Sequence, residues 1–263
     1  MNVGTTGSTK GYPRMESASP DFSLVLACYN EESIIDDRIH KIFAVLDALR
    51  FSNEIIFVDD ASGDGTRHCI DRILSENPGR DIRKIEHPQN TGRGGAVADG
   101  IRAARGRFVG FIDIDLEVGP NYILPCLLAL DQGYDVATAC RFYKHRVGSM
   151  HRHIMSRGYN TLVRRQTGVP LKDTETGFKF FRRDRIFPVL EQVQDQGWFW
   201  DTEIMVRAYM AGLRIVELPA LLVRCTDKKT TVRIWRDSLA YLRKLRQFSR
   251  AISEKTVRSG EGA

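Results

Sequence analysis

Two aspartates separated by one residue, Asp113-Ile114-Asp115, follow the apolar run Phe108 to Ile112. On an extended chain their carboxylates emerge on the same side, where a buried strand reaches water. Two hard oxygen donors so placed can hold Mg2+ or Mn2+, which binds through one or two carboxylates plus the phosphates of a ligand. The plainer alternative is a strand end with two solvated acids. Glu117, two residues on, is either a third ligand or a solvent-facing acid. Asp59-Asp60 closes the run Ile55 to Val58 and repeats the design one unit earlier. Adjacent acids face opposite sides, so one can bond a base edge while the other orients loop amides. Ser62 or Asp64 would cap the helix that follows. Thr91-Gly92-Arg93-Gly94-Gly95-Ala96 opens a helix after a strand, the setting in which backbone amides and the helix dipole hold phosphate. Close helix packing would explain Gly94 and Gly95 equally well. A dinucleotide site is disfavoured because Val97 stands where the third Gly of that fingerprint belongs.

The elements that must position these residues alternate along the chain. Phe22–Cys28, Glu54–Val58, Ile82–Glu86, Phe108–Ile112 and Asp135–Ala139 are short and rich in Val, Ile, Leu and Phe, as strands are. Between them Glu31–Leu49, Gly65–Glu76, Gly92–Ala104 and Asn121–Leu130 are long enough for helices and periodic near 3.6. Strand, helix, strand, helix predicts an α/β fold with a mostly parallel sheet and helices on both faces. Ligands of such sheets bind at the carboxyl ends of the strands. Tyr29-Asn30-Glu31, Asp59-Asp60, Asn90-Thr91-Gly92, Asp113-Ile114-Asp115 and Arg141 each follow one of these strands, so one edge should carry the chemistry.

Composition sets the outer bounds. The chain has 263 residues, 42% hydrophobic and 27% charged, which suffices for one substantial core and excludes wholesale disorder and fibrous classes. No apolar run approaches the roughly 20 residues of a spanning helix. Five scattered cysteines without CxxC spacing point to a reducing cytosol and no zinc. The net charge of +6 is local: residues 224–258 carry +8 and the rest of the chain −2. That distribution predicts a surface contact near the C-terminus, and no nucleic-acid recognition motif accompanies it. Residues 1–19, rich in Gly, Ser and Thr, read as a disordered leader. Residues 20–225 read as one catalytic domain and 226–263 as a basic amphipathic helix and tail.

Taken together, Ala27-Cys28-Tyr29-Asn30-Glu31, Val58-Asp59-Asp60-Ala61-Ser62-Gly63-Asp64-Gly65-Thr66, Asn90-Thr91-Gly92 with Gly94, Ala96, Gly100 and Gly106, and Asp113-Ile114-Asp115 resemble the family-2 glycosyltransferases of GT-A (Rossmann-like) fold. Cys140-Arg141-Phe142, Arg152 with Ser156-Arg157-Gly158, Asp173-Thr174-Glu175-Thr176-Gly177-Phe178-Lys179 and Phe199-Trp200-Asp201-Thr202-Glu203 extend the resemblance to the dolichol-phosphate mannosyltransferase branch, over roughly residues 20 to 235. The resemblance implies a nucleotide-sugar site with Ala27, Tyr29 and Glu31 at its border and Asp60 on the base. Asp113 and Asp115, with Glu117 beside them, would hold Mg2+ or Mn2+ on the diphosphate. Arg141, Arg152, Ser156 and Arg224 would grip an acceptor lipid phosphate, Arg141 joining the two aspartates as a catalytic residue. Ala27 stands where Pro is usual, and Asp227-Lys228-Lys229 replaces the Gly-Ser-Lys that usually follows Arg224.

The expected activity is inverting transfer of a hexose from a nucleotide sugar of the GDP-mannose or UDP-glucose class to a polyprenyl phosphate, dolichyl or undecaprenyl. A polyprenyl phosphate is already an anion and needs arginines rather than a strong base. The alternative acceptor is a hydroxyl of a saccharide or small molecule, for which Asp201 or Asp173 would be the base. Asp201 and Glu203 equally suit the first turn of a helix. From Thr231 to Ile252, Trp235, Leu239, Leu242, Leu245 and Ile252 share one helical stripe, with Arg233, Arg236, Arg243, Arg246 and Arg250 largely outside it. Such a helix can lie in an anionic membrane interface or pack its stripe on the catalytic domain. The expectation is a peripheral enzyme on the cytoplasmic membrane face, with room for a separate membrane-protein partner and no nucleic-acid partner.

Overall fold

The computed structural model describes residues 19–143, 150–224 and 241–253. Four strand and helix pairs come first: β1 (Phe22–Cys28), α1 (Ile35–Asp47), β2 (Asn53–Asp59), α2 (Thr66–Glu76), β3 (Ile82–Glu86), α3 (Arg93–Ala103), β4 (Phe108–Ile112) and α4 (Ile123–Asp131). Then follow β5 (Val136–Tyr143), α5 (Met150–Thr167), β6 (Phe178–Arg182), α6 (Arg183–Leu190), α7 (Trp200–Met210) and β7 (Ile215–Leu222). The described part of a last helix, α8, covers residues 241–253. The strands form one sheet in the order β3-β2-β1-β4-β6-β5-β7. β1 to β4 pair in parallel, β6 runs antiparallel to β4 and β5, and β7 is parallel to β5. The carboxyl ends of β1 to β5 and β7 therefore share one edge, as the alternating pattern predicts.

Burial on both sides explains why β1, β2 and β4 read as unbroken apolar runs. Leu24, Leu26, Ile55 and Phe57 point to a core under α1, α2 and α4, where Ile35, Ile39, Ile42, Phe43 and Leu46 recur at helical spacing. Val25, Ile56, Val58, Val109 and Phe111 point to the other core, under α3, α6 and α7. Leu245, Phe248 and Ile252 of α8 are buried in that second core, and Arg243, Arg246 and Arg250 face solvent. Of the two options for this helix, its described part packs on the domain. Its inward stripe includes Phe248, and Leu242 is only half-buried. Trp235, Leu239, Arg233, Arg236 and the leader up to residue 18 lie outside the described residues.

Three departures from expectation bear on the site. α1 begins at Ile35 because residues 31–34 are occupied by a turn in which the amides of Ile34 and Ile35 both donate to Glu31 O. β5 runs on to Tyr143, since β7 pairs with it along its whole length, so Arg141 lies inside a strand rather than after one. Asp113 and Asp115 are not on an extended chain. Leu116 N donates to Asp113 O at 3.0 Å with Leu116 at φ 53°, so the pair sits on a tight turn that buries Ile114 between them. Among the described residues no helix is long and apolar enough to cross a membrane.

Candidate active site

The loops after β1 and β2 are laced to each other. Asn30 N donates to Ser62 Oγ at 3.0 Å, Gly63 N to Asn30 Oδ1 at 2.8 Å and Glu31 N to Thr66 Oγ1 at 2.7 Å. Asn30 and Ala61 adopt φ of 57° and 58°, and with Leu116 they put all three left-handed non-glycine residues among those described on the catalytic edge. Strained backbone of this kind concentrates where a ligand site over-determines its loops. Neither Ser62 nor Asp64 is the N-cap of α2, which is Gly65: the Ser62 hydroxyl serves Asn30, and Asp64 accepts from the Thr66 amide at 3.0 Å. Tyr29 is 47% exposed and Glu31 half-buried beside it, while Ala27 is packed against the second core.

Asp60 ties the loop after β3 to the end of β2. Its carboxylate accepts from the amides of Thr91 and Gly92 at 2.7 and 2.9 Å, from Thr91 Oγ1 at 2.9 Å, and pairs with His87 Nδ1 at 2.8 Å. Burial alone would raise its pKa, but these bonds outweigh burial and hold the carboxyl below its ordinary value. It is the loop-orienting member of the acid pair. Asp59, also buried, has an Oδ2 without a hydrogen bond, with Arg67 Nε 3.5 Å from it. The phosphate-cradle reading of residues 91–96 changes for the same reason. The amides of 91 and 92 serve Asp60, and that of Gly95 donates to Gln196 O at 2.9 Å. Gly92 at φ 92° lies so close to Gln196 O that a Cβ would come within 2.5 Å of it. The loop before α7 covers the start of α3, and close packing is what its glycines permit.

The Asp113 turn lies in the middle of the edge. Asp113 N donates to Gly177 O at 2.9 Å, and Asp115 Oδ1 accepts from Glu117 N at 3.1 Å. Arg93, from α3, places Nε and Nη2 at 2.8 and 2.6 Å from Asp113 Oδ1, and Nη1 at 2.6 Å from Asp201 Oδ2. Lys179, fully buried in β6, donates to Asp201 Oδ1 at 2.9 Å. Asp201 stands in the first turn of α7, as expected, with one carboxylate oxygen on Arg93 and the other on Lys179. Burial, with Asp115 and Asp201 adding to it and Arg93 opposing, pushes the Asp113 carboxyl up to about 6. Two carboxylates on one tight turn, one of them with an oxygen outside the Arg93 pair, suit a hard divalent cation. Glu117, beside the pair, is not drawn with it into a cluster of three such side chains among the described residues. Its backbone does other work: Glu117 O accepts from Val223 N at 2.8 Å, which draws the end of β7 and the exposed Arg224 to this turn.

On the far side of the turn Arg141 is held by Asp173 through Nε at 2.7 Å and Nη2 at 2.8 Å. Its Nη2 also lies 3.4 Å from Ser156 Oγ and from Glu175 Oε2, and Ser156 Oγ donates to that same oxygen at 2.8 Å. Burial would raise the Asp173 pKa, yet its bonds to Arg141 hold it down. Burial raises that of Glu175 against the pull of Arg141 and Ser156. Arg141 and Ser156 are brought together as expected; the side chain of Arg152, on α5, lies outside the described residues. Sequence reasoning missed Arg93 and Lys179 as site residues. The readable signal for Lys179 was a lysine inside Phe178-Lys179-Phe180-Phe181, a charge that a buried strand must pair.

Comparison with known proteins identifies the family. A glycosyltransferase AglD from Haloferax volcanii is 34% identical over 208 residues, 77% of this chain and 33% of that protein. A dolichyl-phosphate beta-glucosyltransferase from Dictyostelium discoideum is 30% identical over 213 residues, 74% of this chain and 64% of that one. The chain thus spans about one third to two thirds of these relatives. Among solved structures, the mannosyltransferase PcManGT from Pyrobaculum calidifontis, in complex with GDP-Man and Mn2+, superposes with a TM-score of 0.61 at 19% identity, covering 90% of this chain and 65% of that one, a likeness of fold. The family model described as Glycosyl transferase family 2 matches residues 23–187, well over half of the chain, which therefore belongs to that family of enzymes.

Proposed function

We propose that the chain transfers a hexose, with inversion, from a nucleotide diphosphate sugar to a polyprenyl phosphate, in a reaction that depends on Mg2+ or Mn2+. The observation that carries this reading is the order of groups along the sheet edge. The loops after β2 and β1 come first, the Asp113 turn after β4 next, and the Arg141 and Ser156 cluster with Arg224 at the ends of β5 and β7 last. A donor nucleotide bordered by Tyr29 and Glu31, a diphosphate at Asp113 and Asp115, and an acceptor phosphate at Arg141 would then lie in line. Asp59, with its unbonded Oδ2, is the better candidate than Asp60 for a base edge. The names of the relatives support the class, since the Dictyostelium protein is a dolichyl-phosphate beta-glucosyltransferase and the Pyrobaculum protein was solved with GDP-Man and Mn2+.

The chemistry fits these residues. A divalent cation held by Asp113 and Asp115 would supply Lewis-acid stabilisation of the charge that develops on the leaving diphosphate. Asp173 fixes the Arg141 guanidinium, with Ser156 and Glu175 beside it. Transfer to a hydroxyl would need a base, and Asp201, fixed between Arg93 and Lys179, is poorly placed to be one. The exposed Arg243, Arg246 and Arg250 of α8 are the basic face that would meet an anionic membrane on its cytoplasmic side.

The test is a radiolabelled transfer assay with Mg2+ or Mn2+, a panel of nucleotide sugars and a short polyprenyl phosphate in detergent. Label extracted into organic solvent, and abolished by EDTA and by Asp115→Ala, is the expected result and names the donor. Label found only in a water-soluble glycoside would move the acceptor to a hydroxyl compound. Arg141→Ala should raise the KM for lipid phosphate far more than that for donor; equal effects would refute its role as the phosphate grip.

A further inference from the structure

We propose that Arg93 is a positioning residue that sets the first aspartate of the metal turn, and that Asp201 anchors Arg93 instead of acting as a base. The inference rests on the metal reading above. One guanidinium spans two carboxylates from different elements: Nε and Nη2 converge on Asp113 Oδ1, and Nη1 reaches Asp201 Oδ2 at 2.6 Å. Lys179 holds the other Asp201 oxygen at 2.9 Å, so the anchor is itself anchored in β6. The result is a row of alternating charges, Asp113, Arg93, Asp201 and Lys179, that ties α3, the end of β4, α7 and β6 together.

Arg93 has little freedom to follow a displaced Asp113. Its guanidinium lies over the rings of Phe111 and Trp198, 5.4 and 5.1 Å from their centroids, with only 12% of the side chain exposed. The loop that presents Trp198 is fixed on several sides. Glu203 accepts from the amides of Gln194 and Asp195, Gln196 O accepts from Gly95 N, and from α8 Tyr241 donates to Trp198 O while Lys244 pairs with Asp195. With Oδ1 of Asp113 taken by Arg93, Oδ2 is turned towards Gly177, where a Cβ would come within 1.7 Å of it. The rotamer of Asp113 is thus set by Arg93 on one side and by an absent side chain on the other. A planar fork places two donors on Asp113 and a third on Asp201 in one fixed plane, a geometry that the point charge of lysine does not reproduce.

The experiment measures Mn2+ binding to the full chain from the EPR signal of free Mn2+, with UDP or GDP present, alongside transfer kinetics and thermal unfolding. Arg93→Lys keeps the charge and should weaken Mn2+ binding about 10–100-fold, the usual effect of losing a group that orients a ligand. Asp201→Asn should weaken it in the same direction, with kcat largely recovered when Mn2+ is raised. Trp198→Leu, at a half-exposed position that folding tolerates, should give a smaller loss of the same sign. Wild-type Mn2+ affinity in all three variants would overturn the inference and leave the metal reading standing. So would an Asp201→Asn protein that binds Mn2+ normally and has lost kcat at every Mn2+ concentration, the signature of a base. No Mn2+ binding by the wild type would overturn the metal reading and this inference with it.

Discussion

Asp60 shows how far a single residue's type and position can be read, and where reading stops. Its place after a buried strand marks it as a site residue, but which neighbours it serves depends on how the loop 87–92 folds back across 27 to 32 residues of sequence. Asp60→Ala would leave the Thr91 and Gly92 amides and His87 without their acceptor inside the protein. We expect a loss of about 3 kcal/mol in stability at neutral pH, from the cost of unpaired buried donors. The pH dependence follows from the depressed pKa. The folded carboxyl titrates below the unfolded one, so its contribution is fully present above the unfolded value, about 4, and is lost as pH falls through the folded value. Denaturant unfolding of both proteins should therefore show a gap that is constant near neutrality and narrows in acid; a gap independent of pH down to strong acid would contradict the assignment. Arg93 and Lys179 were not legible in the same way. Nothing in the sequence near Arg93 says that its partners are Asp113 and Asp201, 20 and 108 residues away.

Elements were more legible than contacts, and unevenly so. β1 and β4 fall where their apolar runs begin and end, because strands buried on both faces leave no polar alternation to misread. The second half was harder: β6 is antiparallel and holds a buried lysine, and β7 contains Glu217 and Pro219 at a sheet edge, so neither carries the signal of β1 and β4. The glycines divide along the same line. A Cβ on Gly94 in α3 would sit 2.4 Å from Trp200 Cβ and 2.7 Å from Gly197 O, so α3 and the start of α7 touch only because that position lacks a side chain. Gly158, exposed in α5, would meet nothing within 4 Å. Two chemically identical substitutions should then act with opposite sign. Gly94→Ala is expected to destabilise by about 1–3 kcal/mol through overpacking, and Gly158→Ala to stabilise by about 0.5–1 kcal/mol through lost unfolded-state entropy. Thermal unfolding reads both, and matching shifts would mean that the α3 to α7 contact is looser than described.

At the scale of the molecule, the sheet order would put donor and acceptor of the proposed reaction on separate sides of one edge, and α8 closes the second core while reaching the loop at residues 194–198. The amphipathic pattern of this helix was legible, but not which way its stripe faces, because an apolar stripe suits a lipid interface and a protein core equally. Packing decides for the described part: Phe248 meets Phe199 edge to face at 5.7 Å, Arg207 lies over the Phe248 ring, and Leu245 is fully buried. Two functions are thereby split between two faces, stability on the stripe and any electrostatic contact on Arg243, Arg246 and Arg250. Leu245→Ala should cost about 2–5 kcal/mol, as a large-to-small change in a packed core does, and leave sedimentation with anionic vesicles at low temperature unchanged. Glutamate at all three arginine positions should do the reverse, with stability altered by only about 0.5 kcal/mol per site and vesicle binding reduced in a salt-dependent way. If Leu245→Ala abolished vesicle binding at full stability, the stripe would have to leave the core to meet the membrane, and α8 would be a detachable anchor instead of a wall of the domain.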